Sequence, residues 1–204
     1  GDYVGANIAE HGSAGNVTIE NCNGEGVGES IASYEGSAGN VTISDCNGRY
    51  VGNSIAKKGS AGNVTLENCN GYAVGAHIAE DGSVGNIIIE NCNGKWVGAN
   101  IASYKGNAGN ITIENCKGHS AGDSIAEQGS VGNVTIKNCK GDSVGSWIAY
   151  KGTAGNITIE GCNGNSVGAG IAYEGNAGNV TIKNCDGPYV GSKIACGEGN
   201  VKEI

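Results

Sequence analysis

Three side-chain types recur in this chain at a spacing that chemistry could use. The segment 14–24, AGNVTIENCNG, has seven close copies further along. Its threonine recurs as Thr18, Thr42, Thr65, Thr112, Thr135, Thr158 and Thr181, with Ile88 in the eighth place. Its asparagine recurs without exception as Asn16, Asn40, Asn63, Asn86, Asn110, Asn133, Asn156 and Asn179. Its cysteine recurs as Cys22, Cys46, Cys69, Cys92, Cys116, Cys139, Cys162 and Cys185. Hydroxyls, methyls and amides in equal steps, with no charge among them, can organise water; they cannot break a bond. The thiols read as small apolar packing groups. Disulfides within a repeat are excluded, with one Cys in each. Bridges between successive repeats are conceivable in distance. Cys196 stands outside the series, where it could bond Cys185 or join two copies of the chain.

Classical reactive arrangements are missing. There is no nucleophile elbow, P-loop, H-E-x-x-H or C-x-x-C. His11, His77 and His119 fall at three different repeat positions, and the aspartates are scattered rather than gathered at one break in the repeat. An RTX-type calcium repeat would need G-G-x-G-x-D, which is absent. No enzyme activity, metal or cofactor is expected.

The element that must position these groups follows from the period. Units marked by Val-Gly begin at Val4, Val27, Val51, Val74, Val97, Ala121 (with Ala for Val), Val144, Val167 and Val190, steps of 23 or 24 residues. Both long steps carry their extra residue at one place, in IASYEG and IASYKG, which marks an exposed corner. The stretch NVTIEN alternates apolar with polar and is β-branched, which is strand chemistry. Glycine, 39 of 204 residues, punctuates every unit and suits turns of positive φ. No helical period survives. One unit per coil of a parallel β-solenoid fits, as a single all-β domain over 1–204 of about 8.5 coils. At roughly 4.8 Å per coil the rod is about 40 Å long.

The columns then sort themselves. Val4, Ile8, Val17, Ile19, Cys22 and their equivalents are expected inside. So narrow a core has no room for Phe or Met, and the chain has neither. Asn21 and its equivalents, with Asp45 and Gly161 in two places, are expected at a turn with amide ladders between coils. If Val17 and Ile19 point inward, Thr18 and Asn16 point outward, and simple alternation puts Ala14 outward too. Positions 7, 10 and 20 vary freely between copies; the Ala-Asn-Thr strip does not. Tyr34, Tyr104, Tyr150 and Tyr173 gather at the corner that takes the insertions, where they could form an aromatic strip along one edge or simply cover the corner, while Trp96 and Trp147 read as isolated surface residues. Asp2 and Tyr3 read as a cap on the first coil. Lys202, standing where a Thr would come, would discourage edge-to-edge stacking at the other end.

The run VGANIAEHGSAGNVTIENCNG resembles the GLUG repeat of bacterial surface proteins, with Ala after Ile and a stricter period as departures. That resemblance implies a β-solenoid with a structural or adhesive role and a host or cell-surface ligand. In architecture the chain is similar to repetitive solenoid antifreeze proteins, which implies a secreted rod with one flat Thr-bearing face. The reading favoured is ice binding by the Thr and Asn ladders, with the adhesive module as the alternative. A net charge of −8 without a basic patch argues against nucleic acid and anionic membranes. No apolar run is long enough to span a bilayer as a helix. The chain opens on Gly rather than Met, so it is read as a mature or trimmed product, expected outside the cell and as a monomer. Seven of the eight asparagines form N-x-T sequons, all but Asn86, although stacked glycans at strand spacing would collide.

Overall fold

The computed structural model describes residues 1–196 and, for their backbone alone, 200–203. It is a parallel β-solenoid of about eight turns, and among the described residues there is no helix. Each turn contributes three strand segments. In the third turn these are Asn47–Val51, Ser60–Ala61 and Val64–Glu67. The first kind stacks into a nine-stranded sheet. The other two build two parallel ladders, joined into one sheet by the last long strand, Asn176–Lys183. Register is the repeat itself: Val41 pairs with Val64, Thr42 with Thr65, Ile43 with Leu66.

The core is the set of columns that the alternation implies. Val27, Ile31, Val41, Ile43 and Cys46 are fully buried in the second turn, and their equivalents in the middle turns are buried likewise. Each such Val or Ile contributes about 1.5–3 kcal/mol by burial, so the rod is held by repetition of a modest term. All nine cysteines are free thiols, Cys196 and Cys185 included. Stacked thiols suit this core because each Sγ lies against carbonyl oxygens, as Cys139 does toward Lys137 (3.2 Å) and Ile113 (3.7 Å). The Cys139 thiol is pushed up to about 12 by its contact with the Cys116 thiol and by burial, partly offset by Cys162. It is therefore protonated and unreactive at neutral pH.

The fourth side of each coil is not strand. From Gly28 onward every second residue has positive φ: Gly28, Ser30, Ala32 and Tyr34. The same alternation recurs in other turns. Its N–H groups reach both neighbours in turn. Gly28 donates back to Val4 (2.8 Å), Ser30 forward to Asn53 (2.9 Å), Ala32 back to Ile8 (2.7 Å) and Tyr34 forward to Lys57 (2.9 Å). Coil-to-coil hydrogen bonds offset a left-handed backbone that costs a non-glycine residue roughly 1–2 kcal/mol. Ala32 and its equivalents as far as Ala172 are buried, which restricts that column to a methyl. The inserted residues sit in this run at Tyr34–Glu35 and Tyr104–Lys105, exposed as expected.

Glycine serves mostly in another way than the composition suggests. Only the column of Gly5 and a few single positions have positive φ. In the column of Gly36, Gly82 and Gly129 a Cβ would lie within about 2 Å of an alanine carbonyl oxygen of the preceding coil, 2.0 Å at Gly129. Close stacking, not turning, requires glycine there. The turn column is Asn21, Asp45, Asn68, Asn91, Asn115, Asn138, Gly161 and Asn184, all at φ of 52–64°. Its two exceptions are thereby explained, since Asn, Asp and Gly are the residues that tolerate this conformation.

One buried carboxylate lies off the repeat. Burial raises the Asp123 carboxyl from 3.8 to about 6, with Glu127 adding to the rise and the Ser143 hydroxyl (3.0 Å) and His119 opposing it. A carboxyl raised in the fold adds stability below its ordinary value, and that stability is lost as pH climbs through about 6. Asp123→Asn keeps the acceptor for Ser143 and removes the buried charge. We expect it to stabilise the protein at pH 7.5 by up to about 3 kcal/mol. The gain should vanish by pH 4, read from thermal melts at the two pH values.

Candidate functional site

The Thr ladder lies where alternation places it. In Val17–Glu20 and its equivalents the two apolar residues are buried, save that Ile182 in the last is only partly so, while the residue between them faces out. Thr18, Thr42, Thr65, Ile88, Thr112, Thr135, Thr158 and Thr181 pair rung to rung. Ile88, at 38% exposure, keeps the methyl of Thr and loses the hydroxyl. The ladder threonines are exposed or half-exposed, so their hydroxyls are open to water.

The Asn ladder has a structural reason for its invariance. Asn16 Oδ1 accepts the backbone N–H of Asn40 at 2.9 Å, and the bond repeats through Asn63, Asn86, Asn110, Asn133, Asn156 and Asn179 at 2.8–2.9 Å. These N–H groups sit at the corner between two strand segments, where no ladder carbonyl meets them. The amide fills that place, and the adjoining glycine is required because a Cβ on Gly39 would lie 2.4 Å from Asn16 Oδ1. One end of each amide from Asn16 to Asn156 is thus pinned, and the exposed side chain is held in a fixed orientation along the rod.

The third column differs from expectation. Ala14, Ala38, Ala61, Ala108, Ala154 and Ala177 pack against the core, and Val84 and Val131 belong to it. The Gly15–Asn16 corner breaks the strand, so parity restarts at Val17, and both Ala14 and Val17 face inward. The outward neighbours are instead Ser13, Ser37, Ser60, Ser83, Asn107, Ser130, Thr153 and Asn176, in register. The uncharged strip is therefore Ser–Asn–Thr, more polar than the Ala–Asn–Thr that simple alternation implies. Its far margin is charged, with Glu67, Glu90 and Glu114 in register and the pair Lys183–Glu160 at 3.1 Å.

Other sequence expectations fare variously. Asn68 donates to Asp45 (3.1 Å) at the turn, but the repeated side-chain amide ladder runs elsewhere, through Asn47, Asn70 and Asn93. The tyrosines form no continuous strip. Tyr34 packs on His11, whereas Tyr150 and Tyr173 pack on Trp147, which is thus not isolated. The Lys202 side chain lies outside the described residues. The backbone register sets Val201 beside Ala177 and Glu203 beside Asn179, so Lys202 falls short of the Thr column. Asn200 stands beside Asn176, three residues before the Asn179 that its Asn-Val pattern would match. Comparisons with protein-family models, curated proteins and solved structures found no match.

Proposed function

We propose that this chain binds ice through its Ser–Asn–Thr strip. The observation that carries the reading is the Thr ladder, outward, in register and repeated at the parallel-strand spacing of roughly 4.8 Å. Each hydroxyl can hold one water, and each methyl can limit where its neighbours sit. Pinned amides extend the array by one column. A face already fixed by the backbone loses little freedom on docking, so many weak contacts add up. An ice ligand also places the working protein outside the cell.

Charge discriminates this role from plain scaffolding. Asn110→Asp keeps an oxygen to accept the Asn133 N–H and introduces a carboxylate whose hydration does not match an ice surface. The fold should hold, with a melting temperature within a few degrees of the unmodified protein. The freezing-point gap between growth and melting of a seeded crystal should fall by more than half. An unchanged gap would remove the Asn column from the binding face.

A further inference from the structure

The repeat is broken most sharply on the left-handed side of the rod, away from the Ser–Asn–Thr strip. Position 10 carries Glu127, Tyr150 and Tyr173 in successive coils, and position 7 carries Ser124, Trp147, Gly170 and Lys193. These residues bring three rings together: Trp147 and Tyr150 at 5.9 Å and 89°, Trp147 and Tyr173 at 5.8 Å, Tyr150 and Tyr173 at 5.7 Å. Ser124, Glu127 and Lys193 complete the wall of an open cleft of about 410 Å³. That volume lies within the range of roughly 300–1,000 Å³ usual for small-molecule sites.

Trp147 is held as a platform. A Cβ on Gly170 would meet its Cε3 at 2.7 Å, its Cζ3 at 2.9 Å and its Cδ2 at 3.0 Å, so the indole lies over the Gly170 backbone. The residue is 39% exposed and lines the cleft. The ring contacts leave no gap for a cation between them, which excludes an aromatic cage for a quaternary ammonium. The rim holds one carboxylate and one ammonium, so it has no net charge to select an anion or a cation. The planar indole of Trp147, flanked by tilted tyrosine rings and ringed by donors and acceptors of hydrogen bonds, complements a ligand with an apolar face and hydroxyls around its edge. We propose that this cleft binds a neutral pyranose sugar, stacked on Trp147, with Glu127, Lys193 and Ser124 taking its hydroxyls. The assignment is independent of the ice-binding reading.

The test uses methyl β-glucoside, methyl β-galactoside, methyl α-mannoside and cellohexaose as probes. Saturation-transfer NMR on the intact chain should show transfer to at least one of them. Fluorescence titration in a Trp96→Phe background, where emission reports Trp147, should give a saturable change. Trp147→Ala should lose the NMR transfer, equivalent to about tenfold weaker binding or more. Should that variant melt early, the pair Glu127→Gln at a half-buried position and Lys193→Ala at an exposed one is read instead, with binding expected to weaken at least about threefold. Tighter binding of cellohexaose than of the glycosides marks a glycan chain as the source, and equal binding a free sugar; both support the site. Absence of transfer to all four probes overturns the proposal, as does transfer undiminished in both variants.

Discussion

Replacing Thr112 or Thr135 by Tyr should reduce the freezing-point gap to below about a tenth of its unmodified value. Both residues lie mid-ladder, paired on either side by rungs of the same column. Their side chains face solvent between two buried apolar neighbours, and Tyr is a favourable strand residue, so the fold should be kept. The ring would project beyond the plane of the neighbouring hydroxyls and hold several rungs away from a flat partner. Circular dichroism and melting should match the unmodified protein. Lys117→Tyr, exposed along the nine-stranded sheet on another side of the coil, is the control and should leave the gap intact. Equal loss from Lys117→Tyr would mean that the face is wrongly chosen.

The second large effect is on stability. Gly129→Ala places a Cβ 2.0 Å from the Ala102 carbonyl oxygen and 2.7 Å from that of Gly106, both backbone atoms. Neither can move without opening the stack between coils. We expect a loss of about 3 kcal/mol or more, seen as a large fall in melting temperature. Gly161→Asn is the counterpart. Its φ of +64° is the conformation that Asn adopts at the same position in other coils, and the nearest atom to a new Cβ is the end of the Asn138 side chain. That change should be neutral or stabilise by about 0.5 kcal/mol through the unfolded chain. A glycine needed for stacking and one needed only for a turn are thus told apart by the cost of adding a Cβ.

These contrasts also show how far the residues alone could be read. Val17, Ile19 and Thr18 sort correctly because a four-residue strand obeys the period of two without interruption. Ala14 does not, because Gly15 and Asn16 turn a corner between it and Val17, and alternation carries no memory across a corner. The left-handed run was not legible: Ala32, Trp147 and Lys151 announce nothing about positive φ, and the conformation is imposed by hydrogen bonds to coils on both sides. The invariance of Asn16 was visible as a fact, but its cause needed the neighbouring coil's N–H. For the aromatic cleft the signal was present. Tyr150 and Tyr173 share a repeat position, and the residue one coil after Trp147 at its own position is Gly170. Columns read as neighbours, not only as lists of what each position tolerates, would have joined them.

The central claim is that the Ser–Asn–Thr strip holds water in an arrangement that ice accepts. The most direct measurement is thermal hysteresis of the unmodified chain, with one seeded crystal watched under a microscope and the fold confirmed by circular dichroism. The account predicts a gap between melting and growth at micromolar to millimolar protein, together with a faceted crystal. A round crystal that grows at its melting point in millimolar folded protein would contradict it, and the Asn-Val-Thr-Ile copies would then be strand scaffolding alone.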